Sequence, residues 1–287
     1  EALSAQEVID EAMVETDNKR RSGIKLLLRG VFGLLWAGVF VAAAWWGAWW
    51  PWLGLLIVLA VLSVNEYAGL LPAPWRPYRG AAVVGAVLII GGAWARDLGG
   101  LALGALGALI VTTPVVLLVK PSAGGRPLGT SLAALHVGLG LGAAFLLGRG
   151  VSGGQRLLLF LAALWTADTA AFIFGKLLGR RKLTPELSPK KTVAGLVFGL
   201  IFAAAAAWAL DRWLLDTALG DGVAVGFGLV VAAFALVGDL LISALKRRAG
   251  LDDTGRLIPG HGGVLDRLDA FLVAAPAALV YLAAVEQ

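Results

Sequence analysis

The sequence predicts an all-α polytopic membrane protein, and two observations carry that prediction. Of its 287 residues, 59% are hydrophobic and only 15% are charged, whereas a soluble domain carries about 25% charged residues. The apolar residues form long continuous runs, unlike the alternating ten-residue segments of a membrane β-barrel. A helix of about 20 apolar residues is long enough to cross the hydrocarbon core of a bilayer.

Nine apolar segments meet or approach that length, and each predicts one transmembrane helix. They comprise residues 31–50, 52–71, 80–95, 98–119, 130–148, 155–178, 192–210, 222–245 and 264–285. The third segment is short, and only Pro51 separates the first two. Residues 1–23 are acidic and then basic without an apolar core, which predicts a polar cytosolic lead-in rather than a signal peptide. Residues 24–287 are expected to form a single membrane-embedded domain.

The basic residues predict the orientation of these helices. If the N-terminus lies inside, all lysines and arginines except Arg96, Arg149, Arg156 and Arg212 fall on the inner side. Such an asymmetry is the positive-inside pattern, which predicts a cytosolic N-terminus and, for nine spans, an outside C-terminus. The same distribution accounts for the net charge of +5 without a nucleic-acid partner.

Two aspartates, Asp168 and Asp239, lie inside predicted spans. An ionised side chain there costs at least about 2.5–3.5 kcal/mol and usually faces a partner or a cavity. Helical spacing places Asp239, Ser243 and Lys246 on one face that leads towards the cytosolic surface. Each aspartate taken singly is equally compatible with a buried ion pair or a hydrogen bond between helices.

The segment RRKLTPELSPKKT, residues 180–192, is predicted to be a basic inner loop. Its charge is compatible with contact to anionic lipid headgroups. It is equally compatible with a phosphate clamp, in which lysines supply mobile charges. Thr192 could then cap the next helix, whose N-terminal N–H groups attract anions. Charge alone does not separate these two interpretations.

The stretch IPGHGGVLDRLD, residues 258–269, carries the strongest functional signal. Asp266 and Asp269 are three residues apart, which places both carboxylates on one helix face, a geometry suited to a hard divalent cation. The glycines around His261 allow a ligand to approach the backbone closely, and His261 is a potential donor to phosphate. The chain has no cysteine, which excludes a thiolate nucleophile and a cysteine-ligated zinc site.

Two longer stretches together carry a resemblance to a known family. They are DTAAFIFGKLLGRRKLTPELSPKKTVAG, residues 168–195, and GDLLISALKRRAGLDDTGRLIPGHGGVLDRLD, residues 238–269. The first resembles the upstream block, and the second the C-terminal signature, of the phosphatidate cytidylyltransferase family, also called CDP-diacylglycerol synthases. The resemblance implies transfer of a cytidylyl group from CTP to phosphatidic acid in a membrane, with release of pyrophosphate. It implies a bacterial inner-membrane enzyme with a cytosolic active site, and it is compatible with a homodimer.

The resemblance also implies roles for individual residues. The expected catalytic residues are Asp239, Lys246, His261 and Asp266. The expected phosphate-binding residues are Ser188, Lys190, Lys191, Thr192, Arg247 and Arg267. Mg²⁺, with Mn²⁺ as a substitute, is expected to be held by Asp168, Asp239, Asp266 and Asp269.

Three positions depart from the family pattern. Ile242 stands where a glutamate is usual, Asp252 replaces a lysine, and Ala194 stands where glutamate or glutamine is common. These departures leave open a cytidylyltransferase or kinase that acts on another lipid phosphate, such as a polyprenyl phosphate or an ether lipid. A transporter is a further alternative, although duplicated halves and broken helices, which are frequent in transporters, are not visible in the sequence.

Overall fold

A computed structural model describes residues 35, 38–42, 49–119, 125–149, 152–215, 219–258 and 262–285. Within these ranges seven helices are long and apolar enough to cross a membrane. They are α1 (Trp49–Leu70), α2 (Arg79–Val119), α3 (Arg126–Leu147), α4 (Gly153–Leu178), α5 (Val193–Trp213), α6 (Asp221–Ala249) and α7 (Leu265–Val285). A short 3-10 helix, Ala73–Trp75, lies between α1 and α2. The all-α polytopic membrane class is therefore confirmed.

Helix α2 is bent back on itself, so that its two halves run antiparallel. The bend lies at Arg96 and Asp97, and Asp97 adopts a φ of 55°. A Cβ atom at Gly104 would lie 2.7 Å from the carbonyl oxygen of Leu88, so glycine is needed for the two halves to pack this closely. Arg149 stabilises the bend, because its guanidinium lies 2.8 Å from the Asp97 carboxylate. The two halves correspond to the predicted segments 80–95 and 98–119.

The remaining helices pack in pairs around an apolar core. Helix α3 packs against α2, α4 against α5, and α6 against both α5 and α7. Fully buried aromatic side chains fill the centre, where the ring of Phe271 lies 5.2 Å from that of Phe160 and 5.6 Å from that of Phe40. Gly238 of α6 lies directly against the backbone of Asp269 of α7, with no room for a Cβ atom. This close approach places Asp239 beside Asp269.

The predicted basic loop before α5 is a short β-hairpin. Strand β1 (Lys182–Thr184) pairs antiparallel with β2 (Ser188–Thr192), with Lys182 opposite Thr192 and Thr184 opposite Ser188. Thr192 ends the hairpin and begins α5, since its Oγ1 accepts a hydrogen bond of 3.1 Å from the Gly195 amide. The predicted helix cap is therefore confirmed.

The other boundaries agree with the sequence within a few residues. The predicted segments 52–71, 130–148, 155–178, 192–210, 222–245 and 264–285 correspond to α1, α3, α4, α5, α6 and α7. Most of the segment 31–50 and all of the lead-in 1–23 lie outside the described residues. The count of nine spans, the orientation of the termini and the division at residue 24 stay predictions.

Candidate active site

A polar cavity of about 440 Å³ lies where α4, α5, α6, α7 and the β-hairpin meet. It is lined by the C-terminal halves of α4 and α6 and by the N-terminal halves of α5 and α7. Its walls contain most of the residues that the sequence singled out: Asp168, Ser188, Lys190, Lys191, Thr192, Asp239, Lys246, Asp266, Arg267 and Asp269. Residues from two motifs that are far apart in the sequence thus share one site.

Two predicted residues do not join this group in the described structure. Arg247 does not line the cavity but points to the surface, where its guanidinium lies 3.3 Å from Asp252. Asp252 itself is 95% exposed, as expected for a residue that departs from the family pattern. His261 lies outside the described residues, so its role stays a prediction. Ile242, a second departure, is fully buried in the core.

Asp239 is held from two directions at the centre of the cavity. Its Oδ2 forms an ion pair of 2.5 Å with the ammonium group of Lys191. Its Oδ1 accepts a hydrogen bond of 3.1 Å from the Ser243 hydroxyl one helical turn later, because residues four apart lie on the same helix face. The hairpin and α6, which are far apart in the chain, are therefore joined by a charge pair within the cavity.

Asp266 is buried, and protein donors engage both of its oxygens. Its Oδ1 lies 2.7 Å from the ammonium group of Lys246. Its Oδ2 accepts hydrogen bonds from the Thr254 amide at 2.7 Å, the Thr254 hydroxyl at 3.0 Å and the Gly263 amide at 3.0 Å. Such a carboxylate orders the segment that precedes α7 and orients Lys246.

The sequence analysis missed Glu66, which contacts the same segment from α1. Its oxygens accept hydrogen bonds from the Thr254 hydroxyl and from the amides of Val264 and Leu265, at 2.8–2.9 Å. A signal was present, since Glu66 lies within the predicted span 52–71 and an ionisable residue in a span indicates a specific partner. Its partners are 188–199 residues away in the chain, so the sequence did not reveal them.

Carboxylate oxygens are ligands that suit a hard cation. The four predicted metal ligands differ in how many of their oxygens already have a partner in the protein. Asp168 forms no hydrogen bond or ion pair with the described residues. One oxygen of Asp269 accepts a hydrogen bond of 2.7 Å from the Ala270 amide. Asp266 has both oxygens occupied. The described residues contain no group of three His, Cys, Asp or Glu side chains that converge as a complete metal site. Among the described residues, Asp168 and Asp269 keep an oxygen without a partner, and Asp239 has two donors, Lys191 and Ser243, against the four of Asp266. These three are therefore the carboxylates more open to a hard cation than Asp266 is.

The fold and this site define a class: an integral membrane protein with a charged cavity of about 440 Å³ lined by lysines, an arginine and aspartates. Residues 27–285 match the cytidylyltransferase family. Because that match covers most of the chain, the protein belongs to this family.

Individual relatives match a shorter part of the chain. The phosphatidate cytidylyltransferase of Staphylococcus aureus is 39% identical over 112 residues, which cover 39% of this chain and 43% of the relative. The protein of the same name from Synechocystis is 43% identical over 124 residues, or 43% of this chain and 41% of the relative. That from Haemophilus influenzae is 41% identical over 127 residues, or 43% of this chain and 44% of the relative. Each alignment thus spans less than half of the relative's length.

Proposed function

We propose that the protein transfers the cytidylyl group of CTP to phosphatidic acid, giving CDP-diacylglycerol and pyrophosphate. In this reaction an oxygen of the lipid phosphate attacks the α-phosphorus of CTP, and the bond between that phosphorus and the oxygen bridging to the β-phosphorus breaks. The names of the curated relatives and the membership of the family support this assignment. The observation that carries it is the cavity in which four basic residues converge with five aspartates, the four already described and Asp253.

The basic residues of the cavity are suited to hold two polyanions together. Lys190 and Lys191 precede α5, and Lys246 and Arg267 face them from α6 and α7. Phosphoryl-type transfer needs alignment of the two reactants and stabilisation of the charge that develops on the leaving group. In this proposal the lysines neutralise the triphosphate, while Ser188 and the capped N-terminus of α5 donate hydrogen bonds to its oxygens. No covalent nucleophile is required.

The aspartates would hold a divalent cation next to those phosphates. We assign this role to Asp168, Asp239 and Asp269, because Asp266 already has four donors. Mg²⁺ or Mn²⁺ held by these residues would supply positive charge that offsets the mutual repulsion of the phosphates. Without a bound cation, the ammonium group of Lys191 offsets the negative charge of Asp239, because the two groups form an ion pair.

Access for the lipid is supported by the position of Phe172. This residue lines the cavity, yet 71% of it is exposed, as expected where a cavity wall meets the acyl region of the bilayer. CTP would enter from the cytosol, since the cavity lies among the basic helix ends that the positive-inside pattern assigns to that side. A bacterial inner membrane and a homodimer belong to the same proposal.

The test uses purified protein with Mg²⁺ and a panel of lipid phosphates: phosphatidic acid, an ether-linked analogue and a polyprenyl phosphate. CTP labelled at the α-phosphorus should label phosphatidic acid, whereas CTP labelled at the γ-phosphorus should not. Label from the γ-position would identify a kinase, and preferential labelling of another lipid would identify a different acceptor. Absence of label in every lipid would contradict the proposal.

A further inference from the structure

We propose that Glu66 is a positioning residue, which holds the segment formed by residues 254–258 and 262–265 against α1 and thereby orients Asp266 and Lys246 at the cavity. The inference rests on the proposed function, which it deepens by adding a residue from outside the two motifs. Glu66 does not line the cavity, so it acts through other groups.

The Glu66 carboxylate takes the place of a helix cap. Its Oε1 accepts the Val264 amide at 2.9 Å, and its Oε2 accepts the Leu265 amide at 2.8 Å. Val264 immediately precedes α7 and Leu265 is its first residue, and N–H groups at this position have no partner within the helix. A negative charge is favourable there because the helix dipole is positive at its N-terminus. The start of α7 is therefore anchored to α1.

Thr254 links Glu66 to Asp266. Its hydroxyl oxygen lies 2.8 Å from Glu66 Oε2 and 3.0 Å from Asp266 Oδ2, so its single proton is shared between the two carboxylates. The other oxygen of Asp266 holds Lys246, which lines the cavity. A continuous set of contacts thus runs from Glu66 through Thr254 and Asp266 to Lys246.

Two glycines allow the segment to close over Glu66. A Cβ atom at Gly255 would lie 2.7 Å from Glu66 Oε1, and Gly263 has no room for a Cβ atom because Glu66 and Thr254 occupy that space. The segment therefore folds directly onto the carboxylate of Glu66.

The substitution Glu66→Gln tests this role with little change in shape. Glutamine keeps one acceptor oxygen, but its NH₂ group faces donors and cannot accept from them. In the folded variant we expect at least a threefold rise in the KM for CTP and at least a tenfold fall in kcat/KM. The matched control is Asn65→Ala, because Asn65 is exposed and its amide donates to Val61 of its own helix. It should retain both constants.

A merely structural role would lower the amount of active protein without changing the KM for CTP. Thr254→Val should reproduce the effect of Glu66→Gln. Thr254→Ser, which keeps the hydroxyl, should retain the wild-type KM for CTP and kcat/KM. The double variant Glu66→Gln/Thr254→Val should be no worse than the more impaired single variant, since contacts in one network are not additive. Thr254→Val also provides the test if Glu66→Gln does not fold.

A second measurement does not depend on activity. Because the chain contains no cysteine, a spin label can be attached at Arg256→Cys in the segment and, as a control, at Glu186→Cys in the β-hairpin. Glu66→Gln should increase the mobility of the label at 256 but not at 186. Wild-type constants together with unchanged mobility would overturn the inference. A wild-type protein that transfers no label from CTP would contradict the proposed function, and the spin label would still decide the role of Glu66.

Discussion

Asp266→Asn is the most informative single substitution, because the described residues give the replaced group four contacts. Asparagine preserves the shape of the side chain but has only one acceptor oxygen. If that oxygen keeps the three contacts from Thr254 and Gly263, the amide NH₂ faces the ammonium group of Lys246. If the side chain is reversed, Lys246 keeps a neutral acceptor and the NH₂ faces three donors. Neither orientation satisfies all four donors.

The expected magnitude follows from the contact that is lost. A hydrogen bond to a charged group contributes about 1.5–3 kcal/mol, and the Lys246 side chain is only 17% exposed, so water replaces the carboxylate incompletely. If most of that energy orients Lys246 in the transition state, activity should fall by about 10²-fold, which corresponds to about 2.7 kcal/mol. Asp252→Asn is the control, because Asp252 is 95% exposed, and it should retain most activity.

The assay is the rate of cytidylyl transfer to phosphatidic acid at several Mg²⁺ concentrations. If Asp266 orients protein groups, the Mg²⁺ dependence of Asp266→Asn should match that of the wild type while the maximal rate falls. A rise in the Mg²⁺ requirement for this variant would instead show that Asp266 is a metal ligand. A fully active Asp266→Asn protein would refute both roles and leave the residue as a structural ion-pair partner.

Lys191→Ala should raise the KM for CTP or lower kcat by at least about tenfold, which corresponds to about 1.4 kcal/mol. The control is Lys182→Ala, at an exposed position of the same hairpin, which should change either constant little. Equal effects of the two substitutions would indicate nonspecific attraction to lipid. Asp239→Asn should raise the Mg²⁺ concentration needed for half-maximal activity. Excess EDTA should abolish turnover of the wild type until Mg²⁺ or Mn²⁺ is added. Turnover that persists in the chelator would contradict a role for the metal. For topology, single cysteines at Glu186 and Arg256 should react with an impermeant reagent only from the cytosolic side, and one at Arg212 only from the other side; reversed labelling would overturn the orientation.

Much of the fold could be predicted from the sequence, because the length of an apolar run is a local property. A helix in a bilayer satisfies its own backbone hydrogen bonds, so each run is expected to be a helix whatever its neighbours. This independence explains why the boundaries of α1 and α3–α7 agree with the predicted segments. The hairpin Lys182–Thr192 was predicted only as a loop, since two short strands depend on pairing with each other rather than on a pattern within either strand.

The sequence by itself determined the membrane class, the helical segments and the two motifs that line the cavity. The tertiary structure alone decided which carboxylates remain available to a ligand. Asp266 and Asp269 look equivalent by spacing, yet Asp266 is saturated by Lys246, Thr254 and Gly263. The physical reason is that a hydrogen bond depends on distance and direction between atoms, and these were set by contacts such as that of Glu66 with Leu265, 199 residues apart.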